Sequence, residues 1–244
     1  MTSAHSRIVF LTGAAGGIGV AMTDALLAAG HCVAAVDRDA KALDRLSARH
    51  AKTKDRLDPI VADLSTADGC ANAIAAARAR FGAIEAVVNN AGIGMSSVRP
   101  DAEARYPSIE ELTPEIWDGF MAIFVRAPLL LVRAALPDMK KRGFGRIVNN
   151  TTSYVTMLRV QPYGAAKAAR TSMSGARTKI AMKPFQISGV SSSMPGARAS
   201  ASGRTLLMPM PALLMTASIA PKRARAAAMA RSQPSASARS ARIG

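Results

Sequence analysis

The chain of 244 residues is 49% hydrophobic and can bury one full core, and no apolar run in it approaches the roughly 20 residues of a membrane-spanning helix. Residues 1–7 lack the apolar stretch of a secretion signal, so we expect a cytoplasmic protein without a membrane partner. The formal net charge of +16 belongs to the C-terminal part alone: residues 139–244 hold 18 basic residues and no acid, and residues 1–138 hold 14 basic and 16 acidic residues. Two cysteines without Cys or His neighbours at ligand spacing exclude a disulfide framework and predict no metal site.

Short apolar runs alternate with segments of helical periodicity over the first 150 residues. The periodicity predicts helices over 18–29, 40–49, 69–81 and from about 113 to 139, and a further helix over 163–182. The predicted strands lie between them, at 8–11, 33–36, 59–62, 86–88 and 146–149. Strands that alternate with helices indicate an α/β fold, with a parallel sheet wound on both faces in three layers.

The first predicted strand ends in the glycine-rich turn Thr12-Gly13-Ala14-Ala15-Gly16-Gly17-Ile18-Gly19. Gly13, Gly17 and Gly19 let the backbone turn sharply and bring its amides close to a pyrophosphate at the start of a helix. Such a turn also occurs in ordinary connections, but here it lies in the first strand-helix unit. It predicts a Rossmann-type sheet that binds a nicotinamide dinucleotide.

Asp37 ends the second predicted strand, 18 residues after Gly19. A carboxylate there accepts hydrogen bonds from the adenosine ribose and repels the extra phosphate of NADP. The guanidinium of the neighbouring Arg38 binds such a phosphate, so the pattern favours NAD and leaves NADP open. The alternative interpretation of Asp37 is a solvated strand end.

Polar segments also follow the third and fourth predicted strands. These are Asp63-Leu64 and Asn89-Asn90-Ala91-Gly92. Each of them is compatible with a simple cap of the next turn. Because the carboxyl ends of parallel strands meet at one edge of the sheet, where ligands bind, their recurrence favours a lining role.

Tyr163 and Lys167 are four residues apart, which places them on one face of a helix. A nearby cation favours the phenolate and lowers the pKa of a phenol, so the pair can move a proton. Alone, the spacing is more often an exposed helix face.

Together these motifs stand in the order and spacing of a known family: Thr-Gly-x-x-x-Gly-Ile-Gly at 12–19, Asn-Asn-Ala-Gly at 89–92, Gly-Arg-Ile-Val-Asn at 145–149 and Tyr-x-x-x-Lys at 163–167. Over about residues 7–197 the chain resembles the short-chain dehydrogenase/reductase family. The resemblance implies reversible hydride transfer between a nicotinamide ring and a small-molecule ketone or secondary alcohol. It also implies a homodimer or homotetramer.

The same resemblance assigns roles to single residues. Tyr163 is the general acid/base, and Lys167 lowers its pKa and holds the nicotinamide ribose. Thr152 and Ser153 compete for the hydroxyl that polarises the substrate oxygen, and we favour Ser153. The remaining cofactor-binding residues implied are Asp63 and Leu64 near the adenine, Asn90, Ala91 and Gly92 against the cofactor, and Pro195 and Gly196 beside the nicotinamide.

Phe124 departs from the family pattern, because it aligns with an asparagine associated with a water-mediated proton relay to the lysine. Phenylalanine forms no side-chain hydrogen bond, so either the relay is rebuilt or activity is reduced. The alternative function is therefore a catalytically impaired nucleotide-binding protein.

Residues 198–244 form a basic tail rich in Ala, Arg and Ser, which we separate from the cofactor-binding domain at 1–197 and expect to be poorly defined. One interpretation is a disordered tail; the other is a shifted reading frame in a GC-rich gene. Basic residues attract nucleic acid through counterion release, but no aromatic follows Phe185 to stack on bases. We therefore expect no specific nucleic-acid partner.

Overall fold

The computed structural model describes residues 6–94, 97, 108–152, 162–174, 181–182 and 214–219. Its sheet has five parallel strands with helices between them, so the predicted Rossmann-type α/β fold is confirmed. The parallel strands are β1 (Ile8–Thr12), β2 (Cys32–Asp37), β3 (Leu57–Val61), β4 (Ala86–Asn89) and β5 (Gly145–Asn150).

Six α-helices are described. They are α1 (Gly17–Ala28), α2 (Ala40–Arg49), α3 (Ala67–Phe81), α4 (Pro114–Met121), α5 (Ala127–Arg142) and α6 (Tyr163–Ser174). Short polar side chains begin three of these helices: Asp39, Thr66 and Thr113 each accept a hydrogen bond from a first-turn amide. A π-helix, Ala122–Arg126, joins α4 to α5.

The order of the parallel strands is β3-β2-β1-β4-β5, so the chain winds outward in both directions from β1. Leu11 of β1 pairs with Ala35 on one side and with Val88 on the other. At such a switch point the connections leave on opposite faces and open a crevice beyond the strand ends. The crevice lies between the glycine turn after β1 and the segment after β4.

The core has two parts, one on each face of the sheet. Successive β1 residues point to opposite faces, so Phe10 packs with α3 and α5 while Leu11 packs with α1 and α2. Both side chains are fully buried. The result is the predicted arrangement of three layers.

One helical stretch among the described residues, Pro114–Arg142, is long and apolar enough to cross a membrane by length and composition. It covers α4, the π-helix and α5, and its most apolar 18-residue window has a mean hydropathy of 1.8. Leu131, Ala135 and Met139 lie at helical spacing on α5 and are buried against the sheet. The apolar stripe of this helix is therefore part of the core.

The predicted helix over 163–182 is wrong at its C-terminal end. The described part of helix α6 reaches Ser174, residues 175–180 lie outside the described residues, and Ala181–Met182 form a short strand, β6. Ala181 pairs with Ser218 and Met182 with Ala217, and a pairing with residues so distant in sequence overrides the local helical pattern.

A seventh strand, β7 (Leu214–Ile219), comes from the tail at 198–244. It pairs antiparallel with β5, with Ala217 opposite Ile147, and β6 pairs antiparallel with β7. The open edge of β5 presents backbone groups that need partners, and a six-residue run with four apolar side chains supplies them. The sequence pattern did not predict this strand.

Candidate active site

A cavity of about 520 Å³ opens at the carboxyl edge of the sheet, within the size range of small-molecule sites. Its walls come from the glycine turn after β1 and the start of α1, from the ends of β2 and β5, from the segments after β3 and β4, from the π-helix and from α6. The cavity brings together these sequence-predicted residues: Gly13, Gly17, Ile18, Gly19, Asp37, Arg38, Asp63, Leu64, Asn90, Ala91, Gly92, Tyr163 and Lys167.

The remaining predicted site residues lie elsewhere. Thr152 is half-buried two residues after β5 and does not line the cavity. Ser153, Pro195 and Gly196 lie outside the described residues. The choice between Thr152 and Ser153 therefore stays a prediction.

The glycine turn is built around two close backbone approaches. Gly13 has a φ of 63°, and a Cβ on it would lie 2.8 Å from Cα of Ala91. A Cβ on Gly19 would lie 1.9 Å from the carbonyl oxygen of Gly13. By contrast, a Cβ on Gly17 would meet nothing within 4 Å, because Gly17 borders the cavity.

The start of α1 faces this cavity through Gly17, Ile18 and Gly19. The N-cap residue, Gly16, has no side chain to bond the first amides of the helix. Helix N-termini favour anions, because their free amides and the helix dipole both attract negative charge. The turn therefore fits a pyrophosphate held against open backbone.

Asp37 is fixed at the end of β2 by backbone amides. Its Oδ2 accepts from the amide of Ala15 at 3.1 Å, and its Oδ1 accepts from the amide of Asp39 at 3.2 Å. These bonds tie the carboxylate to the glycine turn and hold it at the cavity wall. Arg38 lines the same wall.

Asp63 follows β3 at the same edge. Its Oδ1 accepts from the amide of Ser65 at 2.9 Å, and hydrogen bonding to Ser65, followed by the charge of Arg38, lowers the pKa of Asp63. The carboxylate is therefore ionised at neutral pH. No group of three His, Cys, Asp or Glu suited to a metal occurs in the part of the chain that the structure describes.

Thr12 and two asparagines lock the strand ends together. The Thr12 hydroxyl accepts from the amides of Asn90 and Ala91, at 3.0 and 2.9 Å. Asn90 donates from Nδ2 to the Gly13 carbonyl at 3.0 Å, and Asn150 donates from Nδ2 to Oδ1 of Asn90 at 2.9 Å. Sequence reasoning missed Asn150, although it ends β5 as Asn89 ends β4.

Tyr163 and Lys167 face the cavity from the first turns of α6. Lys167 is 4% exposed, and its Nζ donates to the Asn150 carbonyl at 2.8 Å. Nζ lies 5.3 Å from the centroid of the Tyr163 ring. Burial, followed by the nearby charge of Arg170, lowers the pKa of Lys167 to about 7.

Phe124 occupies the space behind this pair. It lies in the π-helix, is 1% exposed, and stacks on Phe120 with ring centroids 5.9 Å apart. A Cβ on Gly92 would lie 3.0 Å from its ring, so the ring also fills the space beside the segment after β4. An apolar ring therefore stands next to both Tyr163 and Lys167.

A model of the short chain dehydrogenase family matches residues 7–202. The chain belongs to this family. It is 39% identical over 146 residues to 2-(R)-hydroxypropyl-CoM dehydrogenase of Xanthobacter autotrophicus, and the alignment covers 59% of this chain and 55% of that protein. It is 33% identical over 190 residues to 2,3-dihydroxy-2,3-dihydro-p-cumate dehydrogenase of Pseudomonas putida, with 76% and 68% covered.

Among solved structures, L-sorbose reductase from Gluconobacter frateurii, complexed with NADPH and L-sorbose, superposes with a TM-score of 0.61 at 25% identity. The match covers 69% of this chain and 62% of that one. The chain spans little more than half the length of several curated short chain dehydrogenases that it matches, with 55%, 54% and 52% covered. The residues that the family model matches, 7–202, include the glycine turn and the five parallel strands.

Proposed function

We propose that this chain is a nicotinamide-dependent oxidoreductase that interconverts a small secondary alcohol and a ketone in the cytoplasm. The observation that carries the proposal is the convergence of the glycine turn, Asp37 and the Tyr163–Lys167 pair on one cavity. The cofactor, when bound, supplies or accepts the hydride. The residues of the chain bind it and move the proton.

Tyr163 is the proton donor and acceptor at the substrate oxygen in this proposal. Lys167 supports it, because a protonated ammonium 5.3 Å from the ring favours the phenolate. A hydroxyl of Thr152 or Ser153 polarises the substrate oxygen, and Ser153 is the one we favour. Pro195 and Gly196 are proposed to flank the nicotinamide.

NAD is the proposed cofactor, and NADP is the alternative. Asp37 supports NAD, since its carboxylate stands fixed where the adenosine ribose is expected. Arg38 supports NADP, and so does the relative whose structure was solved with NADPH. A thermal shift titration with NADH and NADPH separates them, because binding to the native state raises the Tm with ligand concentration.

A second candidate function is nucleotide binding without turnover. It is favoured by Phe124, whose ring contacts both Tyr163 and Lys167 and accepts no hydrogen bond from the Lys167 ammonium. Under this alternative, NADH binds tightly and no ketone is reduced.

The deciding experiment measures NADH binding by fluorescence and NADH oxidation with a panel of ketones on the full chain. We expect binding and turnover in wild type, and in Tyr163→Phe we expect binding within about threefold and turnover lowered by at least 10²-fold. Binding without turnover of any compound selects the second function. Unchanged turnover in Tyr163→Phe removes Tyr163 from the mechanism.

The assembly proposed for the chain is a homodimer or homotetramer. Trp117 and Leu129 are exposed on the long helical stretch, at 39% and 51%, and large apolar side chains at a surface favour association. Size-exclusion chromatography with light scattering measures the mass. A monomer at micromolar concentration contradicts this part of the proposal.

A further inference from the structure

Arg170 lies on α6, three residues after Lys167, and is 1% exposed. Among the described residues, its guanidinium donates hydrogen bonds to five backbone carbonyls. Nε bonds to Phe124 at 2.8 Å, Nη1 to Asn89 and Asn150 at 3.2 Å each, and Nη2 to Ile123 at 3.3 Å and Ala91 at 3.4 Å. All five acceptors are backbone atoms.

These carbonyls come from three separate places around the cavity. Asn89 and Ala91 lie at and after the end of β4, Asn150 ends β5, and Ile123 and Phe124 belong to the π-helix. A π-turn aims some of its carbonyls away from the regular helical partner. One guanidinium therefore joins the π-helix, two strand ends and α6.

The contact that matters for chemistry is shared with Lys167. The Asn150 carbonyl accepts from Lys167 Nζ at 2.8 Å and from Arg170 Nη1 at 3.2 Å. The position of this oxygen sets the position of the ammonium. The guanidinium also lies 5.2 Å from the centroid of the Phe124 ring. The same ring contacts Lys167, so Arg170, Phe124 and Lys167 pack against one another.

We propose that Arg170 is a positioning residue for the Tyr163–Lys167 pair, which its guanidinium holds by fixing the Asn150 carbonyl and the π-helix that carries Phe124. The proposal rests on the proposed oxidoreductase function for its kinetic consequence. A planar fork with five N–H groups suits a ring of carbonyls, whereas a lysine ammonium is a single point with three donors. A side chain without donors leaves buried carbonyls unbonded, at about 1–3 kcal/mol each.

The charge of Arg170 adds a second effect on Lys167. Tyr163 and Arg170 lie near Lys167 on its own helix, and the π-helix contacts it through the uncharged Phe124 ring. The charged residue of the π-helix, Arg126, is exposed and donates to the Ser65 carbonyl. Asp37 and Asp63 line the same cavity from β2 and the segment after β3. Burial is the first cause of the low pKa of Lys167, and the guanidinium opposes protonation further.

The first test follows the ¹³Cε signal of Lys167 against pH in lysine-labelled full-length protein, assigned by its loss in Lys167→Met. The variants are Arg170→Gln, which removes the charge, and Arg170→Lys, which keeps the charge and removes the fork. Arg133→Gln, on the exposed side of α5, is the matched control. We expect the midpoint near pH 7 to move upward in Arg170→Gln and to stay close to 7 in Arg170→Lys and Arg133→Gln.

The second test uses a ketone from the panel that the wild type reduces. It measures kcat, the KM for this ketone and the NADH affinity at a temperature below the Tm of each variant. Misplaced catalytic groups cost about 10- to 100-fold in rate, so we expect that loss of kcat in both Arg170 variants, with NADH affinity within about threefold. If Arg170→Gln does not fold, Arg170→Lys decides by its kcat. Wild-type kcat in both folded Arg170 variants, together with an unchanged Lys167 midpoint in Arg170→Gln, overturns the proposal. A wild-type protein without turnover contradicts the proposed function instead. The Lys167 titration in Arg170→Gln then still tests the role of Arg170.

Discussion

The ring of Phe124 stands edge-on against the ring of Tyr163, with centroids 5.3 Å apart and planes at 85°. The centroid of the same Phe124 ring lies 4.8 Å from Lys167 Nζ. A cation over an aromatic face gains about 0.5–2 kcal/mol, so the ring contributes both packing and electrostatic support to the ammonium. Phe124 is thus an integral part of the wall behind the candidate catalytic pair.

Replacing Phe124 tests whether this ring supports or impairs the site. In Phe124→Leu we expect a loss of about 1–2 kcal/mol in the free energy of unfolding, because the ring contacts disappear from a buried position. Turnover at pH 7 falls as well, since the protonated form of Lys167 loses its cation–π partner. Phe120→Leu is the control: it removes the neighbouring stacked ring, and we expect a similar change in Tm with a smaller change in kcat.

Phe124→Asn restores the residue type that the family resemblance implies at this position. We expect no gain in kcat, because Arg170 already binds the carbonyls around the pair and the buried amide lacks an evident place in that arrangement. A stopped-flow and steady-state comparison with wild type measures this. A several-fold increase in kcat would instead show that Phe124 impairs the enzyme.

Lys167→Met is expected to stabilise the protein while abolishing turnover. The pKa of Lys167 falls from 10.5 to about 7 on folding, so below pH 7 the native state holds a charged ammonium in a buried place at a cost. Methionine removes that cost, and the Asn150 carbonyl keeps its bond from Arg170. We expect a gain of about 2 kcal/mol at pH 6, after the lost lysine contacts are allowed for.

The sign of the pH dependence provides the check on Lys167→Met. Between pH 7 and 10.5 the unfolded lysine binds more protons than the folded one, so this group makes wild-type stability rise with pH. The difference in Tm between variant and wild type should therefore shrink as the pH rises through this window. Lys141→Met, at an exposed site on α5, should show no such trend.

Gly19→Ala and Gly17→Ala are expected to separate folding from cofactor binding. The new methyl at position 19 meets the Gly13 carbonyl at 1.9 Å, and backbone cannot yield cheaply, so we expect destabilisation of about 3 kcal/mol or more. At position 17 the methyl meets open space, and stability should change by less than about 1 kcal/mol. NADH affinity of Gly17→Ala should nevertheless fall at least tenfold, measured by fluorescence. Wild-type NADH affinity in Gly17→Ala would contradict the proposed binding of the pyrophosphate at this turn.

Asp37→Asn tests the proposed cofactor preference. Asparagine keeps a side-chain oxygen for the Ala15 amide but loses the charge that repels a ribose phosphate. We expect the ratio of NADPH to NADH affinity to rise about tenfold, which is roughly 1.4 kcal/mol. Asp44→Asn, exposed on α2, is the control and should leave the ratio unchanged.

The strands and the glycine turn were predictable because their signals are local. Val9, Phe10 and Leu11 are buried on both faces of the sheet, and the glycine turn follows within two residues, so a window of about a dozen residues contains both signals. Asp37 and Asn90 were predictable for a related reason: the end of a parallel strand places a side chain at one edge of the sheet.

Arg170 was not predictable from the same signals. It shares a helix face with Lys167, but a basic residue at that spacing usually indicates a helix face exposed to solvent. Its burial depends on carbonyls of the π-helix, β4 and β5, which lie 20 to 81 residues away in sequence. The pairing of β7 with β5 is a second contact of this kind, since no local pattern announces an antiparallel partner.

The π-helix Ala122–Arg126 has a consequence for how this part of the chain tolerates change. Arg170 binds the carbonyl oxygens of Ile123 and Phe124, so these bonds survive substitution of either side chain. They do not survive a change in the number of residues. Deleting one residue between Met121 and Ala127 would restore a regular helix, turn α4 by about 100° relative to α5 and withdraw both acceptors. Chain length here is therefore under tighter constraint than residue identity, and a deletion requires a compensating change at position 170.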